Sequence, residues 1–402
     1  MDHEGTTRRR LVLAGAALGL GPLVQAQTSA PATAPTTAPA TPAARPAAAP
    51  AAIRKIVLGQ SVPLTGAAEE IGVAFAAGAK LFVDRWNDKP ANAGLPLELR
   101  QLDDGYDPKR AGENARKLLE GGADLLFGFV GADSALAGAD VTRQAGTAFF
   151  APFAAPDSLR DRANGHVFHV RPSMADEAFK MVRHCATLGQ ERMAVVADDD
   201  TLGRGGLAAV NHAIAELKLA PLTATAAVPV NSTKINPAVA AAINKGQPQA
   251  IIIAGLFRST ASVIRAMRAS GYGGSFLNFS VVGVDPLFTA LGKDIGGVVV
   301  SQVMPSPRRV AVPVVREYLA ALEETDLSAS YESLEGFIAA KALAESVRRA
   351  GRGADRAAQQ RAMAGMTDYD VGGFRIHLRA GVRDASRPID LVTVTADGRV
   401  IR

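Results

Sequence analysis

The sequence predicts an α/β protein built from two doubly wound parallel sheets. Three observations carry that expectation. From Ile53 onward, short β-branched apolar runs alternate with Ala- and Leu-rich amphipathic segments, the βα alternation that parallel sheets require. About 350 residues follow Ile53, enough for two domains of ordinary size, and two such units are predicted, one on either side of Arg171-Pro172-Ser173. Five strand ends run directly into small and cap-type residues: SVPLTGAAEE, FVGADS, FAAPDS, DDDTLGRG and LFRSTAS. In open α/β sheets, ligands bind outside such carboxyl ends where strand order reverses.

The elements follow in order. Thr7-Arg8-Arg9-Arg10 precedes an apolar run from Leu11 to Val24, and Val24-Gln25-Ala26 offers small residues at a cleavage site. A charged start, a core too short to span a bilayer and an A-x-A-like site predict a signal peptide over 1–26, cleaved near Ala26. TRRRLVL also fits a twin-arginine signal, and the sequence does not separate that route from general export. Either route predicts an extracytoplasmic mature chain in the periplasm. No cysteine follows the apolar run, so no lipid anchor is expected, and no later stretch reaches roughly 18 apolar residues. Residues 27–52 are almost wholly Ala, Pro, Thr and Ser, a disordered linker with nothing to bury.

Beyond it, strands are predicted at Lys55–Gln60, Leu97–Leu102, Leu125–Phe129, Ala148–Pro152, Met193–Ala197, Ala250–Ala254 and Val298–Gln302. Helices are predicted at Gly72–Asn87, Ala111–Leu119, Ala175–Leu188, Gly205–Leu217, Pro237–Asn244 and Ser259–Ser270. The stretch FVGADSALAG, Phe129 to Gly138, poses the sharpest local question. A strand running through Gly131 into a helix leaves N–H groups aimed above the sheet edge. Asp133 and Ser134 are both good N-cap residues, so Asp133 either caps its own helix or faces a ligand.

Much chemistry is missing. There is no G-x-S-x-G elbow, no P-loop and no G-x-G-x-x-G after the first strand. His166 and His169 flank a Val-Phe pair in a strand pattern, His184 stands alone on a helix, and neither arrangement has metal-ligand spacing. Asp198-Asp199-Asp200 reads as a turn into a helix rather than a metal site, and Asp107-Pro108 reads as a helix cap. The single Cys185 lies in an apolar helix and is expected to be structural. The net charge of +5 includes three signal-peptide arginines, and basic residues are scattered among few aromatics, which argues against nucleic-acid binding. No catalytic activity, cofactor or metal is expected.

In this order, IVLGQSVPLTGAAEEIGVAFAAGAKLFVDRWN, LPLELRQLDDGYDPKRAGENARKLL, LLFGFVGADSALA, AFFAPFAAPDSLR, RMAVVADDDTLGRGGL and SYESLEGFIAAKALAE resemble segments of the leucine/isoleucine/valine-binding protein family. These are solute-binding components of branched-chain-amino-acid-type ABC importers with the type I periplasmic-binding fold. The resemblance implies two lobes joined by three crossing strands, near Arg171–Met174, Ser301–Met304 and Arg383–Pro388, closing as a hinged clamp. It assigns 53–172 and 303–386 to the N-terminal lobe, and 173–302 and 387–402 to the C-terminal lobe. In the family, the turn after the third strand holds a solute carboxylate through N–H groups and a serine hydroxyl. That serine falls on Ala132, beside Asp133 and Ser134. The next strand end, Phe153-Ala154-Ala155, supplies a carbonyl, and the family's threonine falls on Ala155. The second-lobe aromatic and acidic positions fall on Leu202, Leu256 and approximately Ser280, and the first-loop aromatic on Ile71. Both hydroxyls and the acidic partner of an ammonium are thus absent, and an unpartnered buried ammonium would cost several kcal/mol. The expected solute is therefore not a standard amino acid but an apolar or aromatic acid, an amide or a related metabolite. The implied partners are the importer's permease and ATPase subunits, with the protein itself a monomer. A periplasmic ligand sensor for a signalling partner is the alternative, and an exported α/β enzyme a remote one.

Overall fold

The computed structural model describes residues 54–154, 156–378 and 389–402. The expectations for the signal peptide, the linker, Ala155 and the crossing at 383–388 lie outside these residues.

The alternation of apolar runs becomes β1 (Ile56–Val62), α1 (Glu69–Asp88), β2 (Leu97–Asp103), α2 (Pro108–Glu120), β3 (Leu125–Phe127), α3 (Ala132–Ala145), β4 (Phe149–Phe150) and β5 (Val167–Phe168). Next come α4 (Met174–Thr187), β6 (Met193–Asp198), α5 (Thr201–Glu216), β7 (Ala224–Val228), α6 (Pro237–Lys245), β8 (Ala250–Ala254), α7 (Phe257–Ala269), β9 (Ser275–Asn278), α8 (Val284–Leu291) and β10 (Val298–Gln302). The chain finishes with α9 (Pro313–Leu322), α10 (Tyr331–Ala350), α11 (Arg356–Ala364), β11 (Tyr369–Asp370), β12 (Arg375–Ile376), β13 (Asp390–Val394) and β14 (Val400–Ile401).

Local chemistry sets many of these boundaries. The Asp107 carboxylate accepts from the N–H groups of Lys109 and Arg110, and Pro108 opens α2 where no donor is needed. Ser173 and Asp176 form a reciprocal capping box at the start of α4. Seven of the described strands, β5, β7, β9 and β11 to β14, lie outside the runs expected from the sequence. β7 reads ATAAV and is half exposed, with little β-branched content. β5 is only two residues long, and β9 reads SFLN. The strand expected at Ala148–Pro152 shrinks to Phe149–Phe150 because Ala151 turns to φ +53.

The strands form two main sheets. One runs β2-β1-β3-β4-β5, with every pairing parallel. The other runs β7-β6-β8-β9-β10 with parallel pairings, extended by β13 and β14 as antiparallel edge strands. Both therefore repeat one order, in which the first strand lies between the second and the third. Strand order reverses between β1 and β3 in one sheet, and between β6 and β8 in the other. Both points are ligand positions in this architecture.

Helix α10 returns to the first sheet's helical layer and packs on α1 with backbones nearly touching. A Cβ on Gly78 would lie 1.8 Å from the Ser333 carbonyl oxygen, and one on Gly336 would lie 2.1 Å from that of Phe75. Any side chain at either position would force the helices apart. No helix among the described residues is long and apolar enough to cross a membrane.

Candidate functional site

The loops after the strand ends of the two sheets face one another across a seam. On the first-lobe side, three non-glycine residues in these loops take left-handed backbone: Tyr106 at φ +65, Ala151 at +53 and Ala154 at +57. Such conformations cost of order 1–3 kcal/mol each and cluster where geometry serves binding. Val130 bridges Phe153 beyond the regular strands, and the Gly131 N–H donates to the Phe153 carbonyl at 3.1 Å. Gly131 sits at φ +106, and a Cβ there would lie 2.7 Å from the Tyr106 ring. Glycine is thus required twice over, by backbone conformation and by the tyrosine lying against the turn.

Helix α3 begins without a side-chain cap. Its N-cap is Gly131, and Ala132, Asp133 and Ser134 form its first turn. Their N–H groups have no acceptor among the described residues. Of the two readings of Asp133, capping its own helix is excluded. Asp133 stands inside the helix, two positions after the N-cap, and its Oδ1 instead accepts from the Thr201 hydroxyl at 2.5 Å, across the seam. Its charge is thereby drawn toward the other lobe.

Two further contacts hold the lobes together. Arg258 pairs with Glu70 at 2.9 Å, and Asn231 Nδ2 donates to the Ala67 carbonyl. Three side-chain contacts thus join the loops of the two lobes. Ala132, Ser134, Phe153, Ala154, Leu202, Leu256 and Ser280 are accordingly all buried. Ile71 is buried as well, within the apolar stripe of α1. Ser280 has its polar groups committed: its N–H donates to Glu177 Oε2 at 2.8 Å, and its hydroxyl accepts from Arg171 Nη2.

The second-lobe side is acidic. Asp198 Oδ2, at the end of β6, accepts from the N–H groups of Leu256 at 2.9 Å and Asn231 at 3.4 Å. Asp200 caps α5 through the Gly203 N–H. Burial pushes the Asp198 carboxyl up to about 6, against those hydrogen bonds. Asp104, on the first-lobe side, is likewise raised by burial to about 6, although Ser61 and the Tyr106 N–H donate to it. Burial, followed by the charges of Asp200, Asp198 and Asp133, raises the Tyr106 phenol above its ordinary value. The phenol is therefore a neutral donor at pH 7, placed between the lobes.

Sequence reasoning missed Tyr106, Asp104, Asp198 and Arg171 as parts of this site. The strings DDGYD and DDD read as turns and caps, a role that Asp107 and Asp200 do fill. Arg171 reads only as part of a crossing. Among the described residues no group of acids, histidines and cysteine could hold a metal ion. A cavity of about 720 Å³ opens beside the seam, between α1 on one side and α7 and α8 on the other, with Ser330, Glu332 and Ser333 of α10 at its wall. None of the nine described residues expected from the sequence lines it.

The family model described as periplasmic binding protein matches residues 55–399, nearly all of the described chain. The chain belongs to the periplasmic binding protein family. That family is a solute-binding fold and not an enzyme class, and membership implies a periplasmic location. The binding protein is similar to a substrate-binding periplasmic protein from Ralstonia solanacearum, at 30% identity over 86% of this chain and 99% of that one, with a TM-score of 0.77. It is also similar to a possible leucine/isoleucine/valine-binding protein from Rhodopirellula baltica, at 27% identity, covering 89% and 98% of the two chains with a TM-score of 0.81. A Leu/Ile/Val-binding protein homolog from Brucella melitensis is 21% identical over 315 residues, 78% of this chain and 84% of the relative. The expected two-lobe type I architecture agrees with these neighbours.

Proposed function

We propose that this binding protein is the periplasmic receptor of an ABC importer. It captures a small carboxylate, amide or amino-acid-like solute between its lobes and delivers it to the permease. The observation that carries this reading is the open first turn of α3. Three N–H groups, at Ala132, Asp133 and Ser134, lack acceptors among the described residues, yet they lie where the loops of the two lobes meet. Buried backbone donors are almost always satisfied, and a helix N-terminus favours negative or electron-rich groups. An oxygen-bearing solute group meets both conditions. Names among similar proteins support the importer role, including an ABC transporter substrate-binding protein from Aeropyrum pernix.

The test is mass spectrometry of small molecules released by denaturing protein purified from its native periplasm, followed by calorimetric titration of the emptied protein with what is recovered. A single enriched solute that rebinds with one-site stoichiometry is expected. Recovery of none, or of one that fails to rebind, would sink the receptor reading.

A further inference from the structure

The cavity of about 720 Å³ beside the seam has the volume of a small-molecule site. Ala132, Asp133, Phe153 and Asp198 do not line it, so it stands apart from the α3 turn and from the turn after β8. Much of its wall is apolar. Among the described residues only five large apolar side chains are exposed, and two of them, Val73 and Leu327, lie in this wall beside Phe257. Apolar surface gathered in a concavity and left in water favours an apolar occupant.

The charged lining is unbalanced. Four acids, Glu69, Glu70, Asp285 and Glu332, stand against two arginines, Arg258 and Arg265. Both arginines are already committed. Arg258 pairs with Glu70 at 2.9 Å and lies over the Phe257 ring, and Arg265 donates to the Ala290 carbonyl. Asp285 and Glu332 come together at one end. Glu332 is 5% exposed, and a Cβ on Gly283, at the turn opening α8, would stand 3.1 Å from its Oε1. Asp285 follows two residues later, in the first turn of α8. Burial pushes Glu332 up to about 7, and the Asp285 charge adds to that shift. Arg308 and Arg171 act on Asp285 and Glu332 respectively, but neither forms an ion pair with them. A positive group between the two carboxyls would relieve their repulsion and favour both charges. An uncharged or acidic group would do neither.

We propose that this cavity is a second small-molecule site that takes an amphipathic amine, with its ammonium between Asp285 and Glu332 and its apolar body against Val73, Phe257 and Leu327. Helix α1 follows a strand of the first sheet, and α7 and α8 follow strands of the second. A bound amine therefore touches both lobes at once. The site goes beyond the receptor reading and does not depend on it.

The experiment is a calorimetric titration of the full-length protein at neutral pH with phenylbutylamine, and separately with phenylbutanol, which has the same apolar body and no charge. The amine should bind saturably at one site, and the alcohol should bind more weakly by roughly tenfold or more. Asp285→Asn and Glu332→Gln keep side-chain size and remove charge. Each should weaken the amine about threefold or more and the double variant roughly tenfold or more, at melting temperatures no lower than wild type. Ala132→Ile, which alters the α3 turn, should bind the amine as wild type does. Absence of saturable amine binding, an alcohol that binds as tightly as the amine, or unchanged affinity in the double variant would overturn the site. Loss of amine binding in Ala132→Ile would overturn it as well, by placing the amine at the α3 turn. Each of these outcomes leaves the receptor reading in place.

Discussion

After β3 in the first lobe and after β8 in the second, the chain makes the same move, from the third strand of the same sheet order into a helix. The two turns nevertheless end in different chemical states. In the second lobe, the Asp198 carboxylate at the end of β6 fills the space above the turn and accepts the Leu256 N–H at the start of α7. In the first lobe, the residue ending β1 is the buried, apolar Val62; the N-cap Gly131 N–H donates to the Phe153 carbonyl, and the N–H groups of Ala132, Asp133 and Ser134 have no acceptor among the described residues. One lobe carries its own anion and the other lacks one. The sheet order creates two equivalent positions, and the side chains ending β1 and β6 make them chemically different.

That contrast can be broken or sharpened, the largest effect first. Asp198→Ala strands the Leu256 and Asn231 N–H groups and should cost about 2–3 kcal/mol of stability, read by denaturant melting. Solute affinity should change far less. A collapse of affinity at unchanged stability would mean that the second turn also binds solute. Ala132→Ile places a branched side chain over the open donors and should lower affinity at least tenfold, about 1.4 kcal/mol, with unliganded stability changed less. Wild-type affinity in that variant would remove the α3 turn from the site.

The buried acids give a pH signature. The folded-state values of Glu332 and Glu335 are raised by burial to about 7, so the folded protein holds their protons more tightly than the unfolded chain does. Their contribution to stability is complete below the unfolded value, near pH 4, and is lost as pH rises through about 7. Melting temperature should therefore fall between pH 5 and pH 7.5, and Glu335→Gln should flatten the slope. A melting temperature that rises across this window would contradict the burial of these groups. The smallest effect belongs to the seam. Asp133→Ala and Thr201→Val should each weaken closure by about 1 kcal/mol or less, and the double variant should be no worse than either alone. Additive losses would show that the two side chains act separately.

The sequence reveals the architecture well because periodicity is local. Ala250–Ala254 and Val298–Gln302 are bounded as expected, and the Asp107 cap and the Gly131 turn announce themselves through residue type. The site is less legible because its chemistry is non-local. Nothing in FVGADS signals that Asp133 bonds Thr201, sixty-eight residues away in the chain. Nothing in VRPS signals that Arg171 meets Phe153 and Ser280. Asp198 illustrates the limit well: three consecutive acids look like one cluster, but one caps a helix, one is exposed and one is buried. Only the fold separates their roles.

The dovetail of α1 and α10 at Gly78 and Gly336 also bears on how the protein is made. Helix α1 lies near the start of the folded chain, and the helix that covers it begins only at Tyr331. A growing chain must therefore pass through β6 to β10 of the second sheet before the first helical layer can shut. Such long-range closure raises contact order and slows folding. Until it happens, the apolar stripe of α1, including Phe75, Ala79 and Phe82, stays uncovered, so the unfinished protein is most open to aggregation in its earliest-made part.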